Sequence, residues 1–559
     1  MTENILVCTA WPYANGSIHI GHVAGCYLPA DIFARFHRLL GNNVIMVSGS
    51  DAHGTPVTIT AETLNISPEE VADKYQKEFL SDWSRLGINF DLFTSTHTEN
   101  HEKVSQDIFT KLYERELIYR DSMSQPFCEN HNRFLADRYV EGECPHCHFQ
   151  GARGDQCDNC GYTLDPKDLI NIKHKDCSET PVFKDTEHFF LKLSHFENDL
   201  LEWVRDQKHW KPNVKNFTMG FLEGGLKDRA ITRDITWGIP VPLDGFESKR
   251  IYVWFEAVIG YLSASIEWAG GTNDSEAWQT FWSNGSKSYY FMGKDNIPFH
   301  TVIWPAMLLG YEGLNLPYDV PANEYVNMEQ KQMSTSRNWA VNLGDYLDRY
   351  DPDPLRYALS SIMPETSDSN FSWSEYVRRN NDELVATFGN LVHRVLSMTN
   401  RYFDGVVPNP YGMDARDKDL LAQAKRSLEQ VAAELRECHF RKGLEISMTL
   451  AQETNKYIDE KAPWKEFKNQ PQHTGNTLYH CLNVINALKI SLNPFLPFSS
   501  EKLNKMLGVN EPVSVQGWNW SQDQIKPGKS LGVIEPLFTK LDDEIAETEI
   551  DRLELNSAD

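Results

Sequence analysis

Residues 8–40, CTAWPYANGSIHIGHVAGCYLPADIFARFHRLL, constrain the fold more than any other stretch. Ile5-Leu6-Val7 is an apolar run that reads as the first strand of a parallel sheet. Pro12, Asn15 and Gly16 break it into a turn, and His19-Ile20-Gly21-His22 opens an amphipathic helix with apolar positions at Val23, Leu28, Ile32, Phe33, Phe36 and Leu40. Strand, turn and helix N-terminus make an anion site, because the unpaired backbone N–H groups point at the ligand. His19 and His22 fall on one face of the first turn, where both can donate to phosphate oxygens. Gly21 between them lets a nucleotide come close to the backbone.

A chain of 559 residues exceeds what one core holds, so several domains are expected. Met1 to Cys8 runs straight into a strand, with no basic or apolar leader pattern. No apolar run approaches the roughly 18 residues of a membrane span, so a cytoplasmic protein with no membrane partner is expected. The formal charge of −25 excludes a nonspecific nucleic-acid binder. Ten cysteines, several as C-x-x-C, point to metal rather than disulfides in such a compartment.

After the first helix, Asn43 to Val47 reads as a buried strand leading to Asp51-Ala52-His53-Gly54. A carboxylate just beyond a strand end lies where open α/β sheets bind ligands, and Asp51 could meet a substrate ammonium or simply form a turn. Ser67-Pro68-Glu69-Glu70 is a capping box that starts a helix running to about Leu86, and Asn100 to Leu117 is a further helix. From 121 to 237 the texture changes to Cys, His, Gly and charge, the mark of an insertion. Cys144, Cys147, Cys157 and Cys160 read C-x2-C-x9-C-x2-C, a knuckle spacing suited to structural Zn2+. Cys128, His131, His174 and Cys177 bracket it and could hold a second zinc, or be ordinary histidines beside structural cysteines. His146 and His148 read as surface residues.

Tyr252-Val253-Trp254-Phe255 reads as a strand before a helix from Ala257. Tyr289 to Met292 is another strand, ending in Gly293-Lys294-Asp295-Asn296, suited to ribose hydroxyls. Glu329 to Asn338 is a polar loop. Beyond Tyr376 the apolar spacing is helical, which predicts an antiparallel bundle ending in an acidic tail. Leu541 to Asp559 holds eight acids and one arginine. Trp464, after Pro463, reads on its own as a packing anchor.

The His19-Ile20-Gly21-His22 motif and its flanks, A-W-P-Y-A-N-G-S-I-H-I-G-H, resemble the nucleotide signature of class I aminoacyl-tRNA synthetases. Within that class the stretch is similar to the methionyl-tRNA synthetase family, and the likeness runs from about residue 5 to residue 500. Met333-Ser334-Thr335-Ser336 resembles the second class I signature, usually K-M-S-K-S, and Pro364 to Trp373 resembles the segment that follows it, with Asn370 where an acid is expected.

The resemblance implies an α/β fold: a Rossmann-type parallel-sheet catalytic domain (1–120 and 238–325), the zinc-knuckle insertion (121–237), a signature loop and stem-contact segment (326–380), an α-helical anticodon-binding domain (381–540) and the acidic tail (541–559). It implies a methionine–tRNA ligase acting on ATP, L-methionine and initiator and elongator tRNA(Met), with Mg2+ accompanying ATP, and a monomer. ATP would be held by Tyr13, His19, Gly21, His22, Gly293, Asp295, Asn296, Ser334, Thr335 and Ser336. Methionine would meet Trp11, Tyr13, Asp51, Trp254, Ala257, Tyr261, Phe299 and His300, with Trp11 and Val258 standing where the commoner form has Leu and Pro. Asn390, Arg394 and Trp464 match the family's anticodon contacts. Gln332 and Thr335 replace the two signature lysines, so Lys331 and Arg337 are expected to supply the charge beside His19 and His22. A catalytically weak tRNA-binding paralogue and a class I synthetase for another apolar amino acid remain the alternatives.

Overall fold

The computed structural model describes residues 2–558 except 137, 138, 155, 156, 158, 161, 163 and 335–337. Its central sheet has five parallel strands in the spatial order Ala322–Asn323, Lys287–Gly293, Asn4–Thr9, Asn43–Ser50 and Leu92–Ser95. Leu6 registers with Ser288 on one side and with Ile45 on the other. The chain builds outward from Asn4–Thr9 in one direction and later returns to its other side. The crevice between Asn4–Thr9 and Lys287–Gly293 is therefore the topological switch point, where such sheets bind ligands. Leu6, Val7, Cys8, Tyr290 and Phe291 are fully buried, as strands covered on both faces must be.

The first helix runs from Ile20 to Leu39 with a π-helical segment at Val23–Tyr27. Two further π segments lie at Phe299–Ile303 and Arg379–Gly389. The first two directly follow or contain expected site residues and the third leads straight into Asn390, consistent with the habit of π-turns to mark functional positions. Helix Pro68–Leu86 carries the expected capping box, with Ser67 Oγ accepting from Glu70 N at 3.1 Å, and ends on Gly87 at φ 77°.

The insertion is a two-stranded stalk with a metal-type tip. Ile118–Cys128 pairs antiparallel with Val182–Leu191 from Ile118 to Phe127, and a small sheet of Val140–Glu143, Ala152–Arg153 and Ile170–His174 caps the far end. Helices Glu197–Asp206 and Pro212–Glu223 bring the chain back. Helices Asn390–Phe403, Ala415–Arg436, Phe440–Lys461 and Pro471–Leu492 form the bundle. A buried ion pair joins the bundle to the sheet domain. Arg356 donates to Asp31 on the first helix at 2.6 Å and to the carbonyls of Pro494 and Phe495 at 2.9 and 2.8 Å. Among the described residues, no helix is long and apolar enough to cross a membrane.

Two expectations fail. Tyr252–Phe255 is not a strand: Tyr252 N-caps helix Val253–Gly270, and the strand is the two-residue Arg250–Ile251. Buried aromatic and β-branched residues read as strand by propensity, but tertiary packing decides such short runs. The acidic end is not a tail: Glu544–Ala558 is helical and lies against Trp373–Arg378. Glu549, almost fully buried, accepts from Arg349 at 3.0 and 2.9 Å and from the Tyr350 hydroxyl at 2.9 Å.

Candidate active site

His19 and His22 cap their own helix reciprocally. His19 Nδ1 accepts from Gly21 N at 3.1 Å, and His22 Nδ1 accepts from His19 N at 3.3 Å. The rings stack with centroids 3.7 Å apart. Burial holds His19 well below the ordinary histidine range and brings His22 down to about 4, although one edge of the His22 ring is open to solvent. Both imidazoles are therefore neutral at pH 7. With each Nδ1 committed as an acceptor, the single proton of each ring belongs on Nε2. The motif thus presents two N–H donors without adding positive charge.

The second signature docks on the first. His19 bridges Asn342 across a short antiparallel contact, Ile20 N donates to Val341 O at 3.0 Å, and Leu343 N donates to Ile18 O at 2.8 Å. A Cβ on Gly21 would stand 3.0 Å from both the His19 ring and Met333 Sδ, so a side chain there would press on both. Ser334 and Trp339 exchange two backbone bonds of 3.0 Å, closing the loop's neck. Lys331 is exposed on the strand Lys331–Gln332, its Nζ 4.1 Å from the centroid of the Trp339 indole. Asn370 Oδ1 accepts from Gln330 N at 2.7 Å. Thr335, Ser336 and Arg337 lie outside the described residues.

On the other side of the switch point, the expected amino-acid pocket is contiguous. The Trp254 indole N–H donates to Tyr13 OH at 2.7 Å, and Trp254 meets Phe299 edge to face at 4.5 Å. Ala257 lies one helical turn beyond Trp254. Tyr261 OH lies 2.7 Å from His300 Nε2, while His300 Nδ1 donates to Asn296 O at 2.8 Å. That pairing makes the tyrosine hydroxyl the donor, with His300 kept neutral by burial at about 4. Trp11 occupies space that glycines leave: a Cβ on Gly49 or Gly260 would fall 2.4 or 2.7 Å from its ring. Val258, the other departure, is buried.

Asp51 is buried, and its Oδ1 has no hydrogen-bond partner. Burial, and then the charge of Glu256, hold its carboxyl well above the usual range. A buried carboxyl group left in that state is poised to ionise when a cation arrives to meet its unpartnered oxygen. Asp295 accepts from Tyr325 OH, and Lys294 is drawn to Glu324 at 2.8 Å and Asp368 at 3.0 Å. Sequence reading missed a second array behind Asp51. Its members are His53, His97, His101, Trp237 and Glu256; the signal was His53, two residues from Asp51.

At the stalk tip, the two quartets expected from spacing do converge. Within each of Cys128/His131/His174/Cys177 and Cys144/Cys147/Cys157/Cys160, the ligand atoms lie within 4.8 Å of one another. Sulfurs on one tetrahedral Zn2+ stand about 3.8 Å apart, given Zn–S bonds of about 2.3 Å. Cys144–Cys160, Cys147–Cys157 and Cys128–Cys177 are at 3.8, 3.6 and 3.8 Å, and none of the cysteines is in a disulfide. Asp176 Oδ2 stands 3.3 Å from His174 Nε2, leaving Nδ1 toward the cluster. Both quartets can hold a metal ion. His148 instead pairs with Glu143 at 2.7 Å, and His146 rests on Tyr162.

In the bundle, Arg394 donates to Asp459 at 2.8 Å and lies 5.3 Å from the Trp464 ring centroid. Asn390 is exposed one turn away on the same helix, and Trp464 is 40 % exposed.

A parallel sheet whose switch point carries paired imidazoles under a second, docked signature loop defines a class I aminoacyl-tRNA synthetase. The family described as tRNA synthetases class I (M) matches residues 5–396, and the anticodon binding domain of methionyl tRNA ligase matches residues 407–554. The chain belongs to the methionyl-tRNA synthetase family. It is 53% identical to the methionine–tRNA ligase of Dehalococcoides mccartyi (strain BAV1) over 99% of this chain and 100% of that one. It is 48% identical to that of Thermomicrobium roseum over 99% of each. The Mycobacterium tuberculosis methionyl-tRNA synthetase, solved in complex with methionyl-adenylate, superposes with a TM-score of 0.80 at 26% identity, covering 96% of this chain and 100% of that one.

Proposed function

We propose that the chain activates L-methionine with ATP and transfers the methionyl group to initiator and elongator tRNA(Met), as a single chain acting in the cytoplasm. The observation that carries this reading is the docking of Met333 over Gly21, which brings both signatures to one face of the switch point. A methionine carboxylate oxygen attacks the ATP α-phosphorus and pyrophosphate leaves; a terminal ribose hydroxyl of tRNA then attacks the methionyl carbonyl and AMP leaves. No protein nucleophile is needed, so positioning and charge stabilisation carry the rate.

His19 and His22 donate from Nε2 to the triphosphate, which Mg2+ accompanies. Asp295, Asn296 and Gly293 hold the adenosine, with Tyr13, Gly21 and the 334–336 loop closing over it. Asp51 takes the ammonium. Trp11, Tyr13, Trp254, Ala257, Tyr261, Phe299 and His300 enclose the thioether, with which aromatic rings make favourable contacts. Lys331 and Arg337 supply the charge that the signature lysines would. Residues 1–120 and 238–325 form the catalytic unit, 121–237 the metal-bearing insertion and 326–380 the stem-contact segment. The anticodon-binding unit runs from 381 through the closing helix.

Both quartets suit Zn2+ by donor chemistry, and elemental analysis should find one to two zinc per chain. Trp464 stacks on an anticodon base, worth about 1–3 kcal/mol, while Asn390 and Arg394 read base edges. Methionine-dependent pyrophosphate exchange tests the whole reading. Its absence would favour the tRNA-binding paralogue, and exchange driven by another apolar amino acid would change the substrate. Trp464→Ala should raise the KM for tRNA and leave exchange intact; a parallel fall in exchange would return Trp464 to a packing role.

A further inference from the structure

Behind the pocket lies a second buried carboxylate. Glu256 is fully buried in the first turn of helix Val253–Gly270, the turn that also presents Trp254 to the pocket. His53 Nδ1 lies 3.0 Å from both Glu256 oxygens, and His101 Nε2 lies 3.7 Å from Oε2. These two imidazoles are themselves fixed. His53 Nε2 is 3.1 Å from His97 Nδ1, and His101 Nδ1 is 2.8 Å from Ser263 Oγ. The segment that bears Asp51 is pinned to the same array. Trp237 donates to Ala52 O at 2.7 Å while contacting His53 and His97 edge-on and tilted, and Ala52 N donates to Thr96 Oγ1 at 2.9 Å.

Burial opposes ionisation of Glu256, but His53 and His101 outweigh it and hold the carboxyl below its usual range. Burial also keeps His101 below the ordinary histidine range. The array therefore holds a buried negative charge on Glu256, fixed in place by two imidazoles. Two residues along from His53, Asp51 Oδ1 has no hydrogen-bond partner. A packing role for Glu256 would be served as well by glutamine; a charge role would not.

We propose that Glu256, oriented by His53 and His101, is a positioning residue for the substrate ammonium: a second negative charge behind Asp51 that makes the site select for α-amino ligands. The inference rests on the reading of Asp51 as the ammonium partner. Glu256 does not touch the substrate. It acts through the field at Asp51, and that field is strong because water is excluded.

Two methionine analogues separate this role from a structural one. Methioninol keeps the ammonium and lacks the carboxylate; 4-(methylthio)butanoate keeps the carboxylate and lacks the ammonium. Both are measured as inhibitors of pyrophosphate exchange by the full chain. Glu256→Gln should weaken methioninol on the order of tenfold, what a unit charge beyond contact distance supplies at an effective dielectric of about 20. The desamino analogue and the KM for ATP should not move. Glu256→Asp, with its charge drawn back, should give a selectivity between those of wild type and Glu256→Gln. It carries the test alone if the glutamine variant does not fold. Equal weakening of both analogues, or unchanged methioninol binding in folded Glu256→Gln, would overturn the proposal, as would wild-type selectivity in Glu256→Asp. Asp51→Asn distinguishes the two failures. If it too shows no selective loss of methioninol, the underlying reading of Asp51 fails; if it does while Glu256→Gln does not, only this inference fails.

Discussion

The two signature segments are built on opposite plans. His19 and His22 are locked by their own backbone, each Nδ1 taking an amide proton and so leaving the ring proton on Nε2. Lys331, by contrast, is an exposed side chain whose only described seat is the face of Trp339. The first segment donates from fixed neutral groups, at no cost in reorganisation. The second must bring charge in on a flexible stem and pays for it in side-chain freedom. Fixed donors are hard to replace, whereas a mobile cation can be relocated by a residue. Under the role proposed for Lys331 and Arg337, that difference would accommodate Gln332 and Thr335 where lysines usually stand.

The largest effect should therefore fall on the fixed donors. Asparagine is a good N-cap, so His19→Asn keeps the helix start and removes only the Nε2–H. Adenylate formation should drop by about 10²–10³, as for loss of one preorganised donor, with an unchanged melting temperature and methionine KM. A single-turnover rate within threefold of wild type would break the contrast, leaving His19 as a cap alone.

Lys331→Ala should cost less, about tenfold in the same rate, because its charge is not preorganised. Arg337→Ala should behave alike. Gln332→Lys in the Lys331→Ala background should restore most of the loss, since it returns the cation to its usual place. Failure of that rescue would mean that Lys331 serves the Trp339 contact rather than the triphosphate. Trp339→Leu, which removes the seat and leaves the ammonium, should fall between wild type and Lys331→Ala.

The same contrast governed what could be read from the sequence. Elements carried by local chemistry were legible: the Ser67–Glu70 capping box, the strand-turn-helix at His19, and both metal quartets, whose paired spacings leave few geometric choices. Features set by distant partners were not. Helix Val253–Gly270 begins at an apolar aromatic run that looks like a strand, and only its packing decides otherwise. Glu549 makes the last helix a docked one by meeting Arg349 and Tyr350, some 200 residues away. Its apolar positions, Ile545, Ile550, Leu553 and Leu555, are sparse among the acids. In the pocket, resemblance supplied the residues expected to line the ligand space, but not the Glu256 array behind them, whose members come from four separate stretches.

Acid should produce the smallest effect on this contrast, and it acts on the fixed segment. Protonating His22 places a proton on Nδ1, the atom that accepts from His19 N, so the reciprocal cap is lost. Its folded-state value of about 4 lies below the ordinary 6.5. Between those values the unfolded chain binds more protons than the folded one, and stability rises with pH. The contribution is thus complete above pH 6.5 and declines as pH falls toward 4. Solvent at the open edge of the ring screens much of it, so the shift is modest. The melting temperature of wild type relative to His22→Gln should fall by roughly 1–2 °C between pH 7.5 and 5. A difference that stays constant across that range would show that the His22 ring titrates normally and that its donor is not held in the neutral form.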